Sequence, residues 1–376
     1  MYADLDDQLS QLLGSSIEYL DISQQEYRLA VSRYEAVGQF LADYWGDSVN
    51  GGEIYPQGSM RLGTVTRNIH SNDEIDIDLV ARRDLVKTSI SQAELKADTG
   101  HGLDLFVKTG PEGHPAKDEG KRCWTLHYPG FHVDVLPALP DDQDTGTGII
   151  ITDREVSAWQ FSNPVGYAAW FHNAMRAELL EKRAAMDVAD VPDWAVKTTL
   201  QRTVQALKRH RDIYFAENLD ERPASVIITT LAARAYHGSG SLYEVLLDVT
   251  VTMPTLVEQQ GGVLVVANPV QPKENFADRW KRHPDRARRF FDWAEQARAD
   301  FAGLGAERGV DTVLEKLAKA FGGQAAERAE RATGSDLLEA RRAGRLGMAV
   351  GTGGLVAGTG RIVRPHTFHG DHPARP

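Results

Sequence analysis

The run Glu74-Ile75-Asp76-Ile77-Asp78-Leu79-Val80 alternates acidic and aliphatic residues. Period two belongs to a strand whose successive side chains point to opposite faces, so Asp76 and Asp78 present their carboxylates on one side. Carboxylates that converge repel unless a cation stands between them. Hard divalent ions with oxygen ligands meet that need, and Mg2+ commonly shares its coordination with substrate phosphates. A third acid, Asp134, lies in Phe131-His132-Val133-Asp134-Val135-Leu136, again between aliphatics on an expected strand. Three acids on two adjacent strands can hold two ions, Mg2+ or Mn2+, a pairing suited to attack of a hydroxyl on phosphorus. Asp-x-Asp alone also fits the solvated face of an amphipathic strand. Glu74-Ile75-Asp76 matches the same template, although Leu79-Val80 gives Asp76 and Asp78 the deeper strand context.

The upstream segment Tyr55-Pro56-Gln57-Gly58-Ser59-Met60-Arg61-Leu62-Gly63-Thr64 places Gly-Ser between an expected strand and an expected short helix. Glycine lets a backbone approach a phosphate closely, and the amides that open a helix face an anion. The Ser59 hydroxyl can add a hydrogen bond. A Gly-Ser turn by itself is an ordinary turn. Followed in order by the Asp-x-Asp strand and then by a hydrophobic-Asp-hydrophobic strand, it is far more specific.

That ordered set resembles the signature of the polymerase-β-type nucleotidyltransferase superfamily, with a longer spacing between Gly-Ser and Asp-x-Asp and residues 66–72 as the extra loop. The finer resemblance is to the cGAS/DncV-like nucleotidyltransferases, which make cyclic oligonucleotide signals in bacterial antiphage (CBASS) defence. It rests on QGSMRLGT (57–64) with DIDLV (76–80), on VQALKRHRDIYF (204–215) and on NPVQPKENFADRW (268–280), and covers about residues 15 to 300. The resemblance implies a polymerase-β-like α/β core with a C-terminal helical lobe. It also implies two Mg2+ or Mn2+ ions on Asp76, Asp78 and Asp134, and nucleoside triphosphate substrates, ATP or GTP, with pyrimidine nucleotides open. Gln57, Gly58 and Ser59 would hold the triphosphate. Lys208 would be the cation on the γ-phosphate, with Arg209 or Arg211 as alternatives, although such a run also fits a solvated face or a helix-dipole contact. The resemblance would put Ser225 on the donor triphosphate, although from the residues alone its place after Pro223 reads first as a helix N-cap. Asn275 and Trp280 lie in the resembling segment and are expected to serve packing. Two other functions stay open: a nucleotidyltransferase acting on an RNA end or a protein, and a nucleotide-binding regulator without turnover. All three acids being present stands against the latter.

The elements that must position these residues follow from periodicity. Residues 16–45 carry apolar positions at helical spacing (Tyr27, Val31, Tyr34, Val37, Leu41), which predicts one long N-terminal helix, a spine across both halves, with a turn at Gly51-Gly52. Strands are expected at 53–56, 74–80, 123–128 and 131–136, the last two joined by Pro129-Gly130, with a loop at 109–121. After Pro164 helices are expected at 165–183, 194–216, 223–237, 241–259, 275–302 and 308–342, with Pro192, Pro223 and Pro272 near starts. The organisation is then 1–50 spine, 51–160 catalytic core, 161–343 helical lobe and 344–376 Gly-rich flexible tail.

Composition bounds the partners. The chain has 376 residues, long enough for two lobes, and is 42% hydrophobic and 25% charged, as soluble globular proteins are. No apolar run approaches the roughly 20 residues of a membrane span, and the acidic opening lacks a signal peptide's basic and apolar regions. Its one cysteine, Cys123, excludes an internal disulfide and points to a reducing cytoplasm. Cys123 reads as a small buried hydrophobe. A net charge of -11 argues against general nucleic-acid binding while allowing a local basic cleft. His132, two residues from Asp134, could support it, although a core or edge histidine fits as well. His366, His369 and His372 fall in the tail and read as solvated. The glycines of 351–360 lack the strand and the Lys-Ser/Thr ending of a phosphate loop and read as linker. In some systems of the resembling family the C-terminus is conjugated to a target. The tail leaves room for such a conjugating or regulatory protein, while an ending in Ala374-Arg375-Pro376 suits that chemistry poorly.

Overall fold

The N-terminal periodic segment folds as two helices rather than one: α1 (Tyr2–Glu18) and α2 (Gln24–Tyr44). Ser23 breaks it. The Ser23 hydroxyl accepts from Glu26 N at 3.2 Å, and the Glu26 carboxylate accepts from Ser23 N at 2.6 Å. This reciprocal cap starts a new helix. The break lets each helix serve a different core. Leu13 and Ile17 of α1 are buried with the C-terminal helices, and Ala30, Val37 and Leu41 of α2 with the sheet. The computed structural model describes residues 2–46, 53–69, 74–110, 114–143, 146–156, 158–185, 197–307, 309–348, 355–357 and 361–363. The turn at Gly51-Gly52, Pro192, the tail histidines and the C-terminal Ala374-Arg375-Pro376 lie outside them, as do residues 70–72 of the extra loop.

The N-terminal half is built on one sheet. Its strands are β1 (Glu53–Pro56), β2 (Ile75–Arg82), β3 (Ala116–Glu119), β4 (Trp124–Tyr128), β5 (Phe131–Pro140), β6 (Ile149–Ile151) and β7 (Gln160–Ser162). The order is β1-β2-β5-β4-β3, with β6 pairing β5 and β7. β2 and β5 run parallel, in register Asp76 with His132 and Asp78 with Asp134. α3 (Gly58–Leu62) follows β1, and α4 (Gln92–Thr109) joins α2 on the buried face. Ile75, Ile77, Leu79, Val133 and Val135 point into that core, leaving the alternate residues on the other face.

Four elements here are not expected from the sequence: α4, β3 and the short strands β6 and β7. α4 is absent from the sequence-based set because its buried positions include Lys96, Thr99, Gly100 and Gly102, which erase the apolar stripe. Gly100 lies under the Trp124 ring, where a Cβ would stand 2.5 Å from the indole. β3 lies inside the expected loop at 109–121 and pairs at the sheet edge with β4, with few apolar residues to mark it.

The second half comprises α5 (Pro164–Ala174), α6 (Arg176–Ala185), α7 (Thr199–Tyr214), α8 (Ser225–Ala235), α9 (Leu242–Thr252), α10 (Pro284–Gly305), α11 (Val310–Phe321) and α12 (Gly323–Arg342). It is not wholly helical. The hairpins β8 (Glu258–Gln260) with β9 (Val263–Val265) and β10 (Ala267–Asn268) with β11 (Gln271–Asn275) fill the gap between the expected helices 241–259 and 275–302 and take only Glu258, Gln259 and Asn275 from their ends. Gly261 and Gly262, at φ +57° and +81°, make a turn no helix continues through. The expected helix 308–342 is two, divided at Gly322. Three short strands, β12 (Leu346–Met348), β13 (Leu355–Ala357) and β14 (Arg361–Ile362), pair within the segment expected to be a flexible tail.

Candidate active site

The parallel pairing of β2 with β5 brings the carboxylates together. Asp76, Asp78 and Asp134 all face a cleft of about 750 Å³ between the sheet and the helical lobe. Asp134 accepts from the Thr125 hydroxyl of β4 at 2.5 Å. Asp78 is pushed up to about 7 by burial and then by the charges of Asp76 and Asp134, with His132 and Lys208 opposing. Asp134 is raised by burial, against the Thr125 hydrogen bond. Burial and then mutual repulsion disfavour the charged form of these carboxyls, and a cation among them would relieve both. His132 bonds Asp76 through Nε2, and that bond raises its imidazole to about 9 against the cost of burial. Asp76, His132 and Asp134 each offer a ligand atom within 4.8 Å of the others. The donor set, mostly carboxylate oxygen, fits a hard divalent cation.

Above this cluster sits the Gly-Ser turn. Gln57 N donates to Asp78 O at 2.8 Å, tying the turn to β2. Gly58 has φ +60°, and its missing Cβ leaves the room that Asp78 Oδ2 takes. Ser59 lines the cleft from the first turn of α3. The chain after α3 is held from the helical lobe by a row of side chains. Gln201 donates to Leu62 O at 2.9 Å, Lys197 to Gly63 O at 2.6 Å, Lys208 to Thr64 O at 2.9 Å and Gln205 to Val65 O at 2.7 Å. Gln201, Gln205 and Lys208 recur at helical spacing, so one face of α7 holds four consecutive carbonyls with the help of Lys197. A turn set this firmly is suited to presenting its amides to a phosphate.

The expected cations separate by face. Lys208 lines the cleft, and burial followed by the nearby Arg211 lowers its ammonium to about 8. Arg211 also lines it, donating to Ser225 Oγ at 2.8 Å and Pro223 O at 3.0 Å and pairing with Asp212. Ser225 is the first residue of α8 and faces the cleft; Ala224 holds the N-cap position, which corrects the reading of Ser225 as a cap. Arg209 is a correction too. Its guanidinium points away from the cleft to Phe321 O at 3.3 Å and to Arg67 O, because residues 208 and 209 lie 100° apart on a helix. Asn275 and Trp280 are structural: Asn275 Oδ1 accepts from Val266 N and Ala277 N, and Trp280 packs on Phe290.

Some site residues escaped the sequence reading. Thr125 and the carbonyl-holding glutamines belong to it only through long-range contacts. The strand period carries a signal for His132, which shares a face with Asp134. Cys123 is half-buried and lines the cleft, and its thiol is pushed up to about 12 by burial and then by the Asp134 charge. A thiol raised by burial in this way is a poor nucleophile.

A parallel carboxylate-bearing strand pair under a Gly-Ser turn, closed by a helical lobe, is the architecture of a polymerase-β-type nucleotidyltransferase, and the chain is similar in sequence and fold to cGAS/DncV-like enzymes. A c-di-GMP synthase of Roseivirga ehrenbergii is 28% identical over 377 residues, covering 97% of this chain and 98% of the relative. The cyclic dinucleotide synthase CdnG of Bradyrhizobium diazoefficiens is 28% identical over 327 residues, 80% of this chain and 76% of CdnG. The fold matches the structure of that CdnG in complex with GTP at a TM-score of 0.69 and 23% identity, covering 86% of this chain and 98% of CdnG. Vibrio cholerae DncV in its apo form gives 0.54 at 14%, over 87% and 82% of the two chains. No family model matches the sequence. Among the described residues no helix is long and apolar enough to cross a membrane.

Proposed function

We propose that this chain joins nucleoside triphosphates, GTP among them, into a cyclic dinucleotide of the kind used in antiphage signalling, releasing pyrophosphate. The observation that carries the reading is the convergence of Asp76, Asp78 and Asp134 beneath the Gly58-Ser59 turn in one cleft. The names of the two relatives, a c-di-GMP synthase and a cyclic dinucleotide synthase, support the product class. A net charge of -11 favours a nucleotide acceptor over an RNA end.

In this mechanism the Gly58 and Ser59 amides and the Ser59 hydroxyl receive the triphosphate, with Gln57 fixing the turn to β2. Lys208 and Arg211 supply positive charge from α7, and Arg211 orients the Ser225 hydroxyl toward the same phosphates. Asp76, Asp78 and Asp134 would hold two Mg2+ or Mn2+ ions, which activate the attacking hydroxyl and offset charge on the leaving pyrophosphate. The ribose 2′- or 3′-hydroxyl of one nucleotide forms a bond to the α-phosphorus of the other as the bond to pyrophosphate breaks. A second such step closes the ring. Most of the rate gain comes from positioning and electrostatics. A cytoplasmic setting, where triphosphates are abundant, accords with this role.

The test is mass identification of products from all four triphosphates with Mg2+ and with Mn2+, for wild type and Asp78→Asn. Wild type should yield a cyclic dinucleotide and pyrophosphate. Asp78→Asn should yield none, yet melt at a higher temperature without metal, because it removes one of three crowded charges from a buried position. A wild-type protein that consumes triphosphate only when an RNA or protein acceptor is added would overturn the cyclic product.

A further inference from the structure

Beside the catalytic cleft opens a second cavity of about 530 Å³, and the two share Arg122, Arg211, Arg222, Ser225, Glu274 and Phe276. The shared wall is cationic, as a nucleotide site requires, with one exception. Among the described residues Glu274 is the one acid that lines both cavities. Other acids nearby are engaged with arginines: Asp212 with Arg211 and Arg222, and Asp278 with Arg122. Glu274 is held instead by neutral donors. Its Oε1 accepts from Ser162 Oγ at 3.0 Å and its Oε2 from Asn268 Nδ2 at 2.7 Å. Asn268 is fixed in turn, its Oδ1 accepting from Val270 N at 3.1 Å. Two strands, β7 and β10, thus lock the carboxylate of a third, β11.

A carboxylate has about four acceptor positions, and among the described residues two are used here, by Ser162 and Asn268. Each oxygen keeps one lone pair, and the pair together matches two parallel N–H donors. Burial pushes this carboxyl up, against the help of Asn268 and Ser162. A ligand that brings two donors relieves that cost.

Among the four common bases, guanine alone presents two adjacent donors on its Watson–Crick edge, the N1–H and the 2-amino group. Adenine offers one amino group beside a ring nitrogen whose lone pair would face the carboxylate. Cytosine pairs its amino group with the same kind of acceptor, and uracil offers a single N–H. We propose that Glu274 is a specificity-determining residue that accepts from guanine N1–H and N2–H, with Phe276 beside the base. This rests on the triphosphate-binding reading above and adds to it the base and the residue that reads it.

The test compares GTP with inosine triphosphate, which keeps N1–H and lacks the 2-amino group. Binding is measured by calorimetry with Mg2+ on the full chain, for wild type and Glu274→Gln. A site with a buried group built for a donor rejects an analogue lacking it, so wild type should prefer GTP by about 10-fold or more. In Glu274→Gln that preference should collapse toward unity while inosine triphosphate binding changes by less than about 3-fold, since the phosphate contacts are intact. Equal losses for both nucleotides, or a preference kept in the variant, would overturn the assignment. Should the variant not fold, wild type alone decides, since absence of a GTP preference defeats the proposal. Binding is read apart from turnover. A wild type that prefers GTP but forms no cyclic product defeats the synthase reading and leaves Glu274 standing, and product without discrimination does the reverse.

Discussion

Gly58 is the position where backbone conformation and metal-site geometry meet, and Gly58→Ala separates their contributions. At φ +60° an L-residue costs about 1–2 kcal/mol relative to glycine. The added Cβ would overlap Asp78 Oδ2 and stand 3.0 Å from Asp78 Cγ and 3.4 Å from its Cβ, so the carboxylate must move. A displacement of about 1 Å in a catalytic constellation costs on the order of 100-fold in rate. The matched control is Gly130→Ala. Gly130 turns β4 into β5 at φ +80°, and its added Cβ meets nothing within 4 Å. Gly130→Ala should lose about 1–2 kcal/mol in denaturant titrations, and Gly58→Ala at least as much, since it carries the same backbone cost plus the overlap with Asp78. Pyrophosphate release from GTP with Mg2+ should fall about 100-fold or more in Gly58→Ala and stay within about 2-fold of wild type in Gly130→Ala, whose site is untouched. Equal activities in the two variants would show that the Gly58–Asp78 contact does not set the site, and the reasoning would fail.

The two arginines of α7 make a second pair. Arg211→Met should weaken triphosphate binding by about 10-fold or more, as loss of a charge-assisted contact does. Arg209→Met should leave binding nearly unchanged but lower stability by about 1–3 kcal/mol, because Arg67 O and Phe321 O lose their donor; calorimetric titration and thermal melts check both. Asp300 offers a pH test. Its hydrogen bond from His210, whose Nδ1 accepts from Trp293, holds the carboxyl below the usual range, with Gln296 and Lys316 adding to the effect. The folded state therefore binds the proton less readily than the unfolded state, so the stabilisation is present above about pH 4 and fades as pH falls below it. Urea titrations should show wild type more stable than Asp300→Asn at pH 7, with the gap closing below pH 4; a gap independent of pH would refute the assignment.

Several features were legible because their signals are local. Strand alternation placed Asp76 and Asp78 on one face, and the Asp134 strand followed from the same period. The break between α1 and α2 is also written locally, as Ser23 and Glu26 three residues apart, though the apolar period through 16–45 conceals it. α4 was hidden by the small and polar residues that close packing requires, with Gly100 under Trp124 and Gly102 against Leu41 and Tyr44. The β8–β9 hairpin was hidden by the polar run Glu258-Gln259-Gln260 beside Gly261-Gly262, whose neighbours looked helical.

By itself the sequence determined the chemistry on offer: three carboxylates, a glycine-serine turn and a basic helix. The tertiary structure decided which of those groups meet. Parallel pairing of β2 with β5 set Asp78 beside Asp134. Docking of α7 on the chain after α3 sent Lys208 and Arg211 into the cleft and Arg209 away from it. The β10–β11 hairpin brought Glu274 to the same cavity from more than a hundred residues away. The physical reason is range. Alternation, capping and turn preferences act over a few residues, whereas the facing of one side chain toward another across lobes depends on how whole surfaces pack, which no short window of sequence contains.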